Sequence, residues 1–210
     1  ISTSISSDIT TLQQAATNAS QATSILQTAD GGAANISNIL TRMKSLASES
    51  ASGTVTDSSR VYIQAEFSQL SSEIDSIASG TSYSGQNLLD GTSAFATGVN
   101  VLVGSSSADS VNVTIANLSV ASLGIGGLDV STETGATAAM TTLDTAINTV
   151  SAARATIGAQ ESRFNFSANS ISTQTQNLQG ANSAITDVDV AQEEATLSSA
   201  MVKTQAAVSA

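Results

Sequence analysis

The 210-residue sequence contains no cysteine, no histidine, no proline and no tryptophan. Without cysteine there are no disulfides, no thiolate nucleophiles and no thiolate metal sites. Without histidine there is neither an imidazole ligand nor an ordinary base that titrates near neutral pH. Ser-His and Cys-His catalytic pairs are thereby excluded. Cations are scarce as well: 6 Lys plus Arg stand against 17 Asp plus Glu, for a formal net charge of −11. Nucleic acid and anionic membranes both recruit clustered cations, so neither is an expected partner.

Long apolar runs are also missing. The uncharged stretches 91–108 and 110–128 are broken by Ser, Asn, Thr and Gly, which makes membrane insertion unexpected. No signal-peptide pattern is visible, and the opening Ile1-Ser2-Thr3, without a basic segment, reads as a trimmed or processed start. Lack of cysteine fits an exported protein that does not use disulfides.

What is abundant is heptad periodicity. Ile5, Leu12, Ala19, Leu26, Ala33 and Leu40 fall seven apart, flanked by a second series of Ala22, Ala29, Ile36 and Met43. They predict one long helix from Thr3 to about Ser50, with Gly31-Gly32 as its weak point and the helix continuing because both series keep phase. After a Ser/Thr-rich connector, Thr56 or Asp57 is a good N-cap for a second helix running to about Ser79, apolar at Ile63, Phe67, Leu70, Ile74 and Ile77. From Tyr83 to about Val130 the pattern shortens. Val99–Val103 and Val111–Ile115 alternate at period two around a loop at Ser105–Asp109, as a hairpin would. The run Leu123–Leu128 reads as loop, and its glycines make a poor nucleotide fingerprint. Leu143, Val150, Ile157, Phe164, Ile171, Leu178 and Ile185 then hold a seven-residue period. They predict a helix from about Ala136 to Leu178. Past Gly180, the capping residues of Thr186-Asp187-Val188-Asp189 are expected to start another at about Ala191.

The expected fold is mainly α: an elongated antiparallel bundle of long helices with a small β-hairpin or sheet insertion. Its parts are core helices at 1–82, a β-rich region at 83–131, and helices at 132–210 that pack back on the first. The core seam comprises Ile5, Leu12, Leu26, Leu40, Leu143, Val150, Ile157, Phe164, Ile171 and Leu178. No enzyme is expected. Glu193-Glu194 and Asp187 with Asp189 are the densest carboxylates, but no EF-hand spacing surrounds them and helix capping accounts for the aspartates. Neither a cofactor nor a metal is expected. Asn-x-Ser/Thr triplets at Asn18, Asn35, Asn112, Asn117 and Asn165 are what so Ser/Thr-rich a chain contains by chance.

Several phrases resemble bacterial flagellin. They are Leu26-Gln27-Thr28-Ala29-Asp30-Gly31-Gly32-Ala33, Ile39–Ala47, Ile63-Gln64-Ala65-Glu66, Ser82–Leu89, Arg154–Gln160 and Ile185–Ala191, in the family's order. The resemblance implies a structural, motility-related subunit, exported to the bacterial flagellum and self-assembling through its helical core. This sequence would be a rod-like core without the terminal filament-forming segments. The partners implied are other flagellin subunits and the flagellin-sensing Toll-like receptor. For that receptor the family's central contacts fall on Arg42, Leu46 and Glu66, with Ser45 standing where the family has Glu. The five cations Arg42, Lys44, Arg60, Arg154 and Arg163 are candidate subunit contacts. The alternative is a flagellin-like adhesin binding a surface polysaccharide through the Ser/Thr/Asn-rich β segment, with Tyr83 and Phe95 as its stacking rings.

Overall fold

A computed structural model of the chain describes residues 2–209; Ile1, Ala210 and the side chains of Val188, Asp189 and Ala191 lie outside the described residues. Helix α1 spans Ser2–Ser50 without interruption. Its buried positions Leu12, Ala15, Ala19, Ala22, Leu26, Ala29, Ala33, Ile36, Leu40, Met43 and Ala47 alternate three and four apart, which keeps one stripe facing inward. The glycine pair has a packing explanation at its second member. A Cβ on Gly32 would stand 2.5 Å from Thr81 Oγ1 and 2.7 Å from Leu89 Cδ1, whereas Gly31 has nothing within 4 Å.

Helix α2 covers Asp57–Gly80 and starts at Thr56, whose hydroxyl accepts from Ser59 N. Strands β1 (Ser82–Tyr83) and β2 (Gln86–Asn87) pair antiparallel, with Ser82 opposite Asn87. Between them Ser84 and Gly85 take φ of 49° and 77°, the tight left-handed turn that such short strands need. Strands β3 (Val99–Leu102) and β4 (Ser110–Val113) form a second two-stranded sheet. Asn112 Nδ2 donates across it to Asn100 Oδ1 at 2.8 Å.

The run Leu123–Leu128, expected as loop, is loop from Gly124 onward, and a single helical turn that was not expected, α3 at Val120–Leu123, precedes it. Ser119 caps the turn and Gly124 closes it at φ 69°. The expected break in the C-terminal helices is absent. The helix α4, Glu133–Val208, is 76 residues long and passes through Gly180 and Thr186-Asp187 without a break. Nothing lies within 4 Å of a Cβ at Gly180, so no other packing competes there for the backbone. The residue Asp189, expected as a cap beside Asp187, is one whose side chain is outside the described residues.

The chain divides into two compact units, both of which take residues from α1 and α4. The larger comprises Ser20–Val101 and Val111–Asn165. Within it Lys44 pairs with Asp144 and Asp30 with Arg154, so numbers fall along α1 as they rise along α4 and the two helices are antiparallel. Its core joins the α1 stripe from Ala22 to Ala47 to Ala136, Ala139, Leu143, Ala146, Val150, Ala153, Ile157 and Phe164 of α4 and to Ile63, Phe67, Ile74 and Ala78 of α2. Leu88, Leu89, Val113, Ile115 and Leu118 add the irregular region to this core. Each large side chain so buried contributes about 1.5–3 kcal/mol. The smaller unit comprises residues 1–19, 102–110 and 166–210. Its core is Leu12, Ala15 and Ile171, with Ala16, Val103 and Leu178 partly buried against them, and Asn18 Nδ2 donates to Leu102 O at 3.1 Å.

Candidate functional site

On a chain this acidic, the cations show which surfaces are already engaged. Arg60 is buried, with Nε donating to Ser50 O at 2.8 Å, Nη2 to Ser52 O at 3.0 Å and Nη1 to Asp57 Oδ1 at 2.8 Å. It gathers the terminal carbonyls of α1, the negative end of that helix dipole, against the start of α2. Arg154 grips Asp30 at two points, Nε to Oδ1 at 2.8 Å and Nη2 to Oδ2 at 3.1 Å, and this bonding raises its pKa further. Glu161 is half-buried nearby. Burial, and then the charge of Asp30, push its carboxyl above the ordinary glutamate range. Lys44 is held by Asp144. Arg163 is exposed and has no ion-pair partner among the described residues.

The three residues expected as receptor contacts separate. Arg42 and Glu66 meet across α1 and α2, with Nε and Nη2 at 2.8 and 2.7 Å from the same oxygen, Oε1, and side chains 53% and 46% exposed. Leu46, by contrast, is 2% exposed. Four residues along a helix do place Arg42 and Leu46 side by side, but the boundary between core and solvent runs between them. Met43, Leu46 and Ala47 are all buried, making the buried face of α1 wide where α2 lies beside it.

The seam positions Leu12, Leu26, Leu40, Leu143, Val150, Ile157, Phe164 and Ile171 are buried, while Ile5 and Leu178 are half-buried. Two polar residues that sequence reasoning passed over occupy the same period. Ser50 continues the Ile36, Met43 series and donates its hydroxyl to Val130 O. Gln160 stands three residues after Ile157, where the pattern calls for a small apolar residue. Its amide accepts from Thr114 N at 3.0 Å and donates to Thr114 O at 2.9 Å, pinning the end of β4 to α4. A polar residue at a core position in the repeat is the signal that could have found both.

The β region lacks the stacking face expected of it. Phe95 is 7% exposed and its ring belongs to the core, and Tyr83 is half-buried. Asp187, Glu193 and Glu194 are exposed on α4, and no cluster suited to a metal ion occurs among the described residues. No helix among them is long and apolar enough to cross a membrane. The surface that sequence reasoning missed is the end of α4. There Leu197, Ala200, Met201, Thr204, Gln205 and Val208 share one face, with Leu197, Met201 and Val208 exposed by 55%, 61% and 84%.

Residues 1–94 match the bacterial flagellin N-terminal helical region and residues 140–210 the C-terminal helical region. A flagellar filament 33 kDa core protein of Treponema phagedenis is 33% identical over 206 residues, 92% of this chain and 72% of that protein. The chain belongs to the bacterial flagellin family. A flagellin of Halalkalibacterium halodurans is 32% identical over 195 residues, covering 92% of this chain and 71% of that protein. The crystal structure of Bacillus cereus flagellin, at 32% identity, aligns with 79% of this chain and 94% of that one, with a TM-score of 0.67. Flagellins are structural proteins of the extracellular flagellar filament, and that role is favoured over the adhesin or polysaccharide-binding alternative. The region between the two family matches, residues 95–139, holds β3, β4 and α3 of this flagellin.

Proposed function

We propose that this flagellin works as a filament subunit whose packed helical core supplies stiffness and whose exposed end of α4 is covered by neighbouring copies. The observation supporting this is the face of Leu197, Met201 and Val208, large apolar side chains that the described residues leave exposed. Covering such a face gains about 25 cal/mol per Å² of apolar surface, and repetition along a polymer multiplies the gain. The test is sedimentation of the intact subunit carrying Leu197→Asp and Met201→Asp under polymerising conditions. Loss of the pelleted fraction at an unchanged melting temperature is expected, and wild-type yields of filament would remove α4 from the contact.

A second reading concerns the flagellin-sensing Toll-like receptor. The exposed Arg42–Glu66 pair, presented on two adjacent helices, supports a contact at that surface, with Leu46 acting only as its buried support. Arg42→Ala should weaken binding of monomeric flagellin to the receptor ectodomain by several-fold, as truncation of an arginine anchor does. Equal affinity would leave the pair as an intramolecular tie alone. No comparable exposed ring supports a polysaccharide site in the β region.

A further inference from the structure

In the larger unit two side chains stand apart from the rest. Arg163 is exposed, and it is that unit's cation without an ion-pair partner among the described residues; Arg42, Lys44, Arg60 and Arg154 are all held within the chain. Tyr62 is 78% exposed on α2 beside Val61, and these are the large hydrophobics of that unit left in solvent. One turn along α2 from Tyr62 lies Glu66, whose contacts with Arg42 fall on Oε1 and leave Oε2 able to accept from a second donor.

We infer that Arg163 of one copy docks on Tyr62 of the next, its guanidinium over the ring and against the Glu66 carboxylate. This rests on the filament reading and names the partner surface within it. Chains of net charge −11 repel one another, and a cation placed against an acidic or π-rich surface of the next copy offsets that repulsion. Arginine suits the role better than lysine because its planar fork stacks on a ring and bonds a carboxylate at the same time. The two halves are different surfaces of the same unit. The contact is therefore heterologous, and a heterologous contact that does not close into a ring propagates as an open filament.

The absence of cysteine makes the test clean. Intact subunits carrying Ser162→Cys together with Val61→Cys, exposed positions beside the contact that leave Arg163 and Tyr62 in place, are assembled, sedimented and treated with a short bismaleimide crosslinker. A ladder of covalent multimers is expected, since every copy carries both halves, and either single variant should give none. Filaments that pellet normally yet yield no ladder overturn the contact while leaving the filament reading intact. Wild-type subunits that never pellet overturn both. Independently, Arg163→Glu should raise the concentration needed for assembly by about tenfold with melting unchanged, and Arg163→Lys by less. Assembly of Arg163→Glu at the wild-type concentration also overturns the proposal.

Discussion

Two stretches of α4 have similar local composition and opposite environments. Between residues 136 and 164 every position of the three-four repeat is buried, with small alanines, and Gln160 in the place of one, between Leu143, Val150, Ile157 and Phe164. From Gln179 onward no described residue is buried, although the chain stays helical to Val208 and still offers Ile185, Leu197 and Met201. Ser2 Oγ, on the first described residue of α1, donates to Asn182 Oδ1 at 2.7 Å, so α1 lies beside α4 as far as its described residues reach. The same helical pattern thus lies in a core in one place and is exposed, among the described residues, in the other. Because an isolated helix is marginal without packing, the exposed stretch is also the part expected to owe its stability to a neighbour.

The sharpest way to break this comparison is to place the same charge in both stretches. Leu143→Asp puts a carboxylate into the seam of the larger unit and should cost on the order of 4 kcal/mol, lowering the melting temperature by roughly 10 °C or abolishing cooperative unfolding. Leu197→Asp should leave melting unchanged and act on filament formation alone. Calorimetry and sedimentation of the two variants side by side decide the matter. Equal melting losses would mean that the end of α4 is already part of a core.

A smaller effect separates the adjacent glycines of α1. Gly32→Ala drives a methyl against Thr81 and Leu89 and should destabilise by about 1–3 kcal/mol. Gly31→Ala meets open space in a helix and should stabilise by about 0.4–1 kcal/mol. Chemical denaturation of both variants measures the two signs. Equal values would show that the loop carrying Thr81–Leu89 yields to the methyl.

The glycines also show how much was legible in advance. The seam could be read because a seven-residue period survives any local substitution, and it located α1, α2 and most of α4. Termination signals were less reliable. Gly80 ends α2 because the following residues fold away, Leu88 and Leu89 reaching the core beside Gly32. Gly180, followed by equally good caps, ends nothing, because no buried destination awaits the chain there. Local chemistry proposes a stop, and tertiary burial decides it. The same limit applies to the surface. Spacing put Arg42 beside Leu46, but which of them faces water depended on α2, a neighbour that the period of α1 does not encode. The two-residue strands β1 and β2 and the turn α3 were passed over because segments so short leave no periodicity to detect, although Ser119 and Gly124 mark the ends of α3.

The smallest effect is electrostatic and has opposite signs at two carboxylates of the larger unit. Glu161 is pushed up, first by burial and then by Asp30, so the fold favours its protonated form. The stability this supplies is full below the ordinary glutamate pKa and is lost as pH rises through the elevated value. Glu161→Gln keeps the neutral form at every pH, and should therefore melt above the wild type at pH 7, with the difference closing on acidification. Asp90 is the counterpart. The Thr92 hydroxyl and then the Thr92 N–H hold its carboxyl below the usual aspartate range, with a further bond from Asn87. Its contribution is present at neutral pH and disappears as pH falls through the lowered value, so Asp90→Asn should melt below the wild type at pH 7 and approach it in acid. Melting curves of the three proteins at pH 7 and at strongly acidic pH test both signs at once. A Glu161→Gln difference that does not change with pH would mean that Glu161 is as well solvated in the folded chain as in the unfolded one, with the charge of Asp30 neutralised by the two-point grip of Arg154.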